Sequence, residues 1–592
     1  MESIDVPVLI IGGGGCGLSS SIFLSDMGID HLLIERHDST SRLPKAHYLN
    51  QRTMEVWRTS GVDAPIYEVS APVENYGHIR WITSLGGDGP FDRREFHEFD
   101  AFGGGALKER YMRDSPSRPT NLPQLRLEPI LRRLAEERAP SKIRFGHELV
   151  DWEETADGVV ARVRTVDSGA EIEVHAQYVI ASDGGKTIGP KLGVAMIGPT
   201  NMVDMVSTHF AADLSEYADD KSMITFQINP EGEGSWGSGA LVKMGPTWDR
   251  HSEEWVVHFA FRPDDPERFD EEKIVPRIRE LFKLPDLDMR VLRVSHWILD
   301  RIVAEKFRIG RFFLAGDAAH RQPPTTGLGL NSAVHDAHNL CWKLAEVVSG
   351  RATDALLDTY ELERQPVAID NADWALQAFM NFACIDISIG LIPGAPPEAN
   401  KAAFSTFFSD TRLGAAVRAR FKEVINTQRV EFQAHDVEIG YWYDEGALVP
   451  DGTEAPERDP FGAEYHPTTR PGHRLPHAWL EADGDMLSTH DLIRPGAFAL
   501  IAGAEGADWV AAAEKIVAET GIKMQARVVD GQDLIDADGQ WGQINQIEAT
   551  GAVLVRPDQH IAYRAVRAVD DPEDALRDAV HTVLGQRATA SV

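Results

Sequence analysis

The pattern of apolar and polar positions changes character along the chain. Residues 6–11, 31–34, 178–182 and 312–315 are short, largely apolar runs, and each leads into a glycine or an acid. Such runs predict strands of a parallel sheet covered on both faces. Residues 16–27 predict a helix that Gly28 ends. Val334, Ala337, Leu340, Leu344 and Val347 recur at three- and four-residue spacing, so a second helix runs from about residue 331 to a cap at Gly350. Residues 223–228 and 255–261 alternate, which predicts a sheet with two unlike faces. Beyond residue 476, runs at 498–501, 527–529, 552–555 and 561–563 predict strands, and 572–584 a helix. Proline and glycine punctuate 449–476, which reads as a linker into that last unit.

A chain of 592 residues exceeds one hydrophobic core, so two or three units are expected. Its 43% hydrophobic and 26% charged residues are ordinary for a globular protein, and no stretch approaches the roughly 20 apolar residues of a membrane span. The N-terminal apolar run ends in a glycine loop without a cleavage pattern, which predicts a cytoplasmic protein. Cys16, Cys341 and Cys384 form neither a disulfide framework nor a metal-type cluster. No His-Glu-His set with zinc or iron spacing occurs, so no metal is expected. The net charge of −33 argues against nucleic acid and anionic membranes as partners, and any anionic ligand must find local cations or helix N-termini.

Such a place is evident after the first strand. Gly12, Gly14 and Gly17 satisfy GxGxxG: the first permits a tight turn, the second lets backbone approach a pyrophosphate, and the third lets the helix pack closely. Glu35, at the end of the second strand, is placed to accept hydrogen bonds from an adenosine ribose, and Gly15 and Arg36 are expected among the cofactor-binding residues. Strand, loop, helix, strand and acid together predict dinucleotide binding.

Two later strands end in Asp183-Gly184 and Gly316-Asp317, the second continuing as GRFFLAGDAAHRQPPTTGLGLNSAVHDAHNLCWKL. These motifs resemble the aromatic-ring hydroxylases, group A flavoprotein monooxygenases that include para-hydroxybenzoate hydroxylase. The resemblance implies FAD, with Asp317 on the ribityl chain and Pro324, Gly329, Leu330 and Asn331 in a turn beside the isoalloxazine. The helix that follows would direct its positive end at the flavin. Gln124 matches a glutamine reaching the ribityl chain, and Lys45 stands where an arginine near the pyrophosphate is common. Asp183 matches an aspartate that positions FAD and bears on nicotinamide use, but Lys186-Thr187 replaces the usual Arg-Ser.

KAHYLNQRTMEVWR, GSGALVKMG and WVVHFAF are similar to the phenol and 2,4-dichlorophenol 6-monooxygenase branch. The position of His47 in that branch faces the substrate hydroxyl. A histidine, with pKa near 6.5, can accept the proton of a phenol as attack develops. The resemblance implies ortho hydroxylation of a small phenol, with NADPH or NADH reducing FAD and O2 forming a C4a-hydroperoxide. Arg301 is expected near the ring edge, and Trp236, Phe259, Phe261 and Trp297 either line the pocket or belong to the core. Other readings are a hydroxylase of a larger polycyclic phenol and a flavin-binding sensor without turnover. A halogenase is disfavoured because WxWxIP is absent.

The expected architecture is α/β and α+β. Residues 1–75, 105–190 and 300–385 make a discontinuous FAD domain of para-hydroxybenzoate-hydroxylase type, and 76–104 and 191–299 a β-sheet substrate domain. Residues 386–475 are helical and linker, and 476–592 form a thioredoxin-like domain lacking Cys-x-x-Cys. That last unit is expected to serve packing and assembly of a homo-oligomer, dimer or tetramer.

Overall fold

The structure, a computed structural model, describes residues 2–230, 239–261, 271–392, 395–531 and 534–586. Its first sheet places the strands His31–Glu35, Glu2–Ile11, Glu171–Ala181 and Phe312–Leu314 side by side and parallel, in that order. Val8, Leu9, Ile10, Leu32, Leu33, Ile180 and Phe313 have no exposed surface, as continuous apolar runs require. The third strand begins earlier than its apolar run. Its first half alternates buried Ile172, Val174 and Ala176 with half-exposed neighbours, because there it pairs antiparallel with Val159–Thr165. The helix Gly15–Asp26 packs between Gln124–Arg138 and Leu328–Val348.

The second sheet has seven strands, in the order Met289–Leu299, Val203–Ala212, Glu254–Phe261, Ala240–Gly245, Ser222–Gln227, His78–Ile82 and Glu95–Asp100. Alternation divides its faces. Ile82, Val206, Phe210, Leu241, Trp255, Val257 and Phe259 form an outer core with Ile274, Ile278 and Phe282 of the helix Glu271–Phe282. The inner face carries Trp81, Phe226 and Ala240, which join the core of the first unit.

The last unit is a four-stranded sheet, Lys523–Val528, Ala497–Ala502, Ala552–Val555 and Ile561–Ala565, with the helices Ala507–Thr520 and Pro572–Val583 packed together. The stretch expected to be a linker is instead a fixed strap. It has no regular helix or strand between 449 and 476, yet Val449 N–H donates to Ala562, Ile561 N–H to His473 and Leu475 N–H to Gln559. Arg474 donates through Nε to Glu55 at 2.9 Å, and both side chains are within 1% of full burial. Beside it Glu363 accepts from Lys343 at 2.7 Å and from Arg556 at 2.7 and 2.8 Å, all three without exposed side-chain surface. Buried charges are tolerated only when fully paired, so this network docks the last unit on the first in one register.

Candidate active site

The glycine loop is shaped by what it cannot accommodate. A Cβ on Gly17 would lie 2.0 Å from the Gly12 carbonyl oxygen, and one on Gly12, whose φ is +114°, 2.2 Å from that of Ser182. A Cβ on Gly14 would meet only the Glu128 carboxylate, at 3.6 Å, so the space before the helix N-terminus stays open. Leu330 closes over Gly15, its Cδ1 2.6 Å from the position a Cβ would take. Glu35 spends one oxygen on the Gly13 amide at 2.8 Å and the other on the His37 amide at 2.9 Å, fixing the loop against the second strand. Arg36 is exposed, and a cleft lined by Asp38, Arg132, Arg144 and Phe145 opens nearby.

Gln124 begins its helix and donates Nε2 to Glu128 at 2.5 Å, one turn further on. Glu128, buried and not singled out from sequence, also accepts from the Ser41 amide at 2.7 Å. Burial pushes its carboxyl above the usual range, while Gln124, Ser41, exposed Lys45 and the Gly15 amide oppose that. Asp183 receives Gly185 N–H at 3.1 Å on one oxygen, and Thr187 and Ile188 N–H at 2.8 and 2.9 Å on the other. Its carboxylate therefore folds its own turn, in which Lys186 and Thr187 are exposed.

Asp317 is exposed at the end of the Phe312–Leu314 strand. Pro324 opens a turn in which Thr326 and Gly327 take φ of +66° and +69°; a Cβ at Gly327 would come 2.9 Å from the Tyr48 ring. The helix starts at Leu328, three residues before the expected Asn331, because Gly327 supplies the left-handed residue that precedes it. Gly329 has open space beside it. Asn331 is buried and does not face the cleft: it accepts from Asn50 N–H at 3.0 Å and donates to the Tyr48 and Gly327 carbonyls at 3.0 and 2.6 Å. It thereby pins the segment after His47 to the Pro324–Gly327 turn.

His47 precedes the short strand Tyr48–Leu49, which pairs with Thr120–Asn121. Its Nδ1 lies 2.8 Å from Asn121 Oδ1. A carboxamide oxygen only accepts, so Nδ1 carries the proton and Nε2 keeps its lone pair. Burial lowers the pKa, the Asn121 bond opposing, so the ring is neutral at pH 7. Around this segment, Tyr48 packs on Phe102 at 4.3 Å between ring centroids, Phe102 on Phe432 at 5.7 Å, and Phe432 on Trp81 and Phe226 at 5.9 and 6.0 Å. A neutral histidine thus precedes a strand whose Tyr48 packs on an aromatic cluster that reaches Trp81 and Phe226 on the inner face of the second sheet.

The structure brings together His47, Gly12–Gly17, Gln124, Pro324 and Leu330 through contacts of the Tyr48 and Gly327 segments, but it uses Arg301 differently. The Arg301 guanidinium pairs with Asp373, 2.8 Å from Nε, and reaches the Ile369 carbonyl. Of the expected aromatic residues, Phe259 belongs to the outer core and Trp297 donates to Ser207 at 2.8 Å, while Trp236 and the side chain of Phe261 lie outside the described residues. Sequence reading missed Asn121, Glu128, Trp81, Phe226 and Phe432. The one local signal was the four-residue spacing of Gln124 and Glu128.

These residues fit FAD. The loop leaves room at Gly14 where phosphate oxygens would meet helix amides, Asp317 is open, and the Gln322 amide, in the turn, has both polar atoms buried without a partner. Among the described residues no cluster could hold a metal ion, and no helix is long and apolar enough to cross a membrane. Residues 5–375 match the model of the FAD binding domain, and 468–587 that of the aromatic-ring hydroxylase C-terminal domain. The chain is 32% identical to a 2,4-dichlorophenol 6-monooxygenase of Delftia acidovorans over 98% of both chains. It is 33% identical to a tetracenomycin B2 monooxygenase-dioxygenase of Streptomyces olivaceus over 99% of this chain and 100% of that one. The crystal structure of the flavin-dependent monooxygenase PieE with FAD and substrate superposes with a TM-score of 0.92 at 36% identity, covering 99% of this chain and 100% of that one. With its glycine loop, its open FAD cradle and both domain matches in place, the chain belongs to the FAD-dependent aromatic-ring hydroxylase family of monooxygenases.

Proposed function

We propose that this enzyme hydroxylates a phenol ortho to its hydroxyl, consuming NADPH or NADH and O2 and releasing a catechol. The observation that carries the reading is the neutral His47, its Nδ1 proton held by Asn121 and its Nε2 left to receive a proton. Bound FAD supplies the redox chemistry, taking reducing equivalents from the nicotinamide and passing one oxygen atom of O2 to the ring. Gly12, Gly14, Gly15, Gly17, Glu35 and Asp317 would hold it, with Lys45 adding positive charge near its phosphates. His47 Nε2 accepts the phenol proton as attack develops, which raises electron density at the ortho carbon. Trp81, Phe226 and Phe432 hold the ring and keep water out.

The likeness to a 2,4-dichlorophenol 6-monooxygenase supports a small phenol. A second reading, a larger polycyclic phenol, is favoured by equal likeness to the tetracenomycin enzyme. Nicotinamide oxidation and hydroxylated product, measured together over a panel spanning both classes, separate them. Oxygenated product in step with oxidation is expected, and no stimulation by any phenol would favour a flavin-binding sensor. We place the reaction in the cytoplasm, in keeping with three free cysteines and a nicotinamide donor. We also infer a homo-oligomer, since Met380, Ile387 and Ile392 are 60, 73 and 62% exposed along and just after the long helix Ala355–Ile389. A monomer mass by light scattering would contradict it.

A further inference from the structure

The inner face of the second sheet carries, beside its apolar residues, a chain of three hydrogen-bonded polar side chains, Trp297, Ser207 and His258. In register, Ser207 stands opposite both His258 and Ser295, and Met205 opposite Trp297, so Ser207, His258 and Trp297 project from the same side. That side is not the outer core, because the neighbours Val206, Val257 and Phe259 occupy the core under the Glu271–Phe282 helix. On this side His258 lies near enough to His47 for a charge there to act on it. Arg126, at the start of the Gln124–Arg138 helix, donates Nε to the Met244 carbonyl at 2.8 Å and NH2 to Glu254 at 3.0 Å, tying that helix to the sheet. The helix begins where Gln124 N–H bonds the Ala46 carbonyl, the residue before His47.

The hydrogen bonds fix which nitrogen of His258 holds its proton. Trp297 Nε1 can only donate, and it does so to Ser207 Oγ at 2.8 Å. Ser207 is buried, and its own hydroxyl proton finds an acceptor in His258 Nδ1, 2.7 Å away. The proton of His258 therefore sits on Nε2. His47 is the mirror case, with its proton on Nδ1 toward Asn121 and the lone pair on Nε2. One imidazole offers an acceptor and the other a donor.

We propose that His258 is a second substrate-contacting residue, donating Nε2–H to the phenol oxygen from the sheet while His47 takes that oxygen's proton. The inference rests on the phenol reading above and deepens it. In the step, the phenol O–H breaks, its proton moves to His47 Nε2, and the electron pair left on oxygen accepts the hydrogen bond from His258. No oxidant is needed for this stage. Burial, reinforced by the charge His47 acquires, drives the His258 pKa down to about 3, so His258 remains a neutral donor when His47 is protonated. Of the other charged groups near this face, His209 Nε2 lies 3.0 Å from Glu254, Glu254 also receives Arg126, and Arg293 stands opposite His209 in register.

The test uses the FAD-loaded full chain and 4-nitrophenol, whose phenolate is coloured, followed by difference spectra across pH. The parent is expected to bind the probe with its pKa below that of free nitrophenol. His258→Leu should raise the bound probe's pKa by about one unit, a tenfold shift of that equilibrium. With the natural phenol it should lower kcat about tenfold and raise KM, flavin content being unchanged. His258→Gln, which keeps an N–H donor, should stay within about threefold of the parent, and Ser207→Ala should fall between the two because it frees the tautomer. If His258→Leu does not retain FAD, the Gln and Ser207→Ala variants decide by the same spectra. Parental probe pKa and turnover in all the folded variants would overturn the role of His258 while leaving the phenol reading standing. A parent that binds no nitrophenol and hydroxylates no phenol would overturn both.

Discussion

The cofactor cradle and the substrate-facing wall are built on opposite principles. The cradle works by the absence of side chains: Gly12 and Gly17 let backbone pack on backbone, and Gly14 leaves the space before the helix open. The wall works by the orientation of side chains, each set by a neighbour on a distant strand, as Asn121 sets His47 and Ser207 sets His258. A lesion in the cradle should therefore remove the flavin. A lesion in the wall should leave a yellow protein that binds FAD and wastes reduced nicotinamide.

The sharpest break is Gly17→Val. A Cβ there meets the Gly12 carbonyl at 2.0 Å, a backbone atom with little room to move, and overpacking of this kind costs up to about 3 kcal/mol. FAD affinity should fall roughly a hundredfold, read from flavin retained after gel filtration. A variant with parental flavin content would show that the loop does not hold the pyrophosphate. On the other side of the comparison, His47→Ala should retain FAD and hydroxylate about a hundredfold more slowly at neutral pH, the lower end of general-base contributions. Peroxide formed per nicotinamide oxidised should rise in the same assay.

Asn121→Leu addresses the wall without touching the base. It removes the acceptor that holds the Nδ1 proton of His47, so the ring samples both tautomers and orientations. Turnover should drop about tenfold, the scale of one lost hydrogen bond, with flavin content unchanged. An identical rate would mean that the Asn121 bond does not position His47. The smallest effect belongs to Lys45→Ala. An exposed charge contributes roughly 0.2–1 kcal/mol, so FAD affinity should weaken no more than about fivefold and the difference should shrink at high salt.

The same contrast governs what could be read from the sequence. The cradle is contiguous, and GGGGCG after an apolar run and before a helix carries its meaning in adjacent residues. Glu35 and the Gly316-Asp317 turn were legible for the same reason, as strand ends. Asn331 was legible as part of a motif but not in its role, since only the fold reveals that it grips Tyr48 and Asn50 rather than facing the cleft. The wall was largely illegible because a strand's inward face depends on register, and one position of slip exchanges the two faces. Phe259 was weighed for the pocket, yet it packs under the Glu271–Phe282 helix and its neighbour His258 faces inward. Asn121 carried no signal at all, since its partner His47 lies 74 residues earlier and only the pairing of two two-residue strands unites them. The strap at 449–476 misled for a related reason: proline and glycine mark the lack of regular structure, but buried Arg474 and its Glu55 partner make the segment rigid.

The central claim is that a neutral His47 accepts the phenol proton, and the ratio of parent to His47→Ala turnover, measured from acid to alkaline pH with a single phenol, tests it most directly. Because burial lowers the His47 pKa, the base is lost only as pH falls below 6.5, and the parent should hold its rate through neutrality. Above neutrality the phenol begins to ionise in solution near its own pKa of about 10, and the variant no longer needs a base. The account predicts a ratio that is largest near pH 7 and shrinks steadily toward pH 10, with FAD content the same in both proteins. A ratio that stays constant across that range, or a variant that matches the parent in rate and coupling at pH 7, would contradict it.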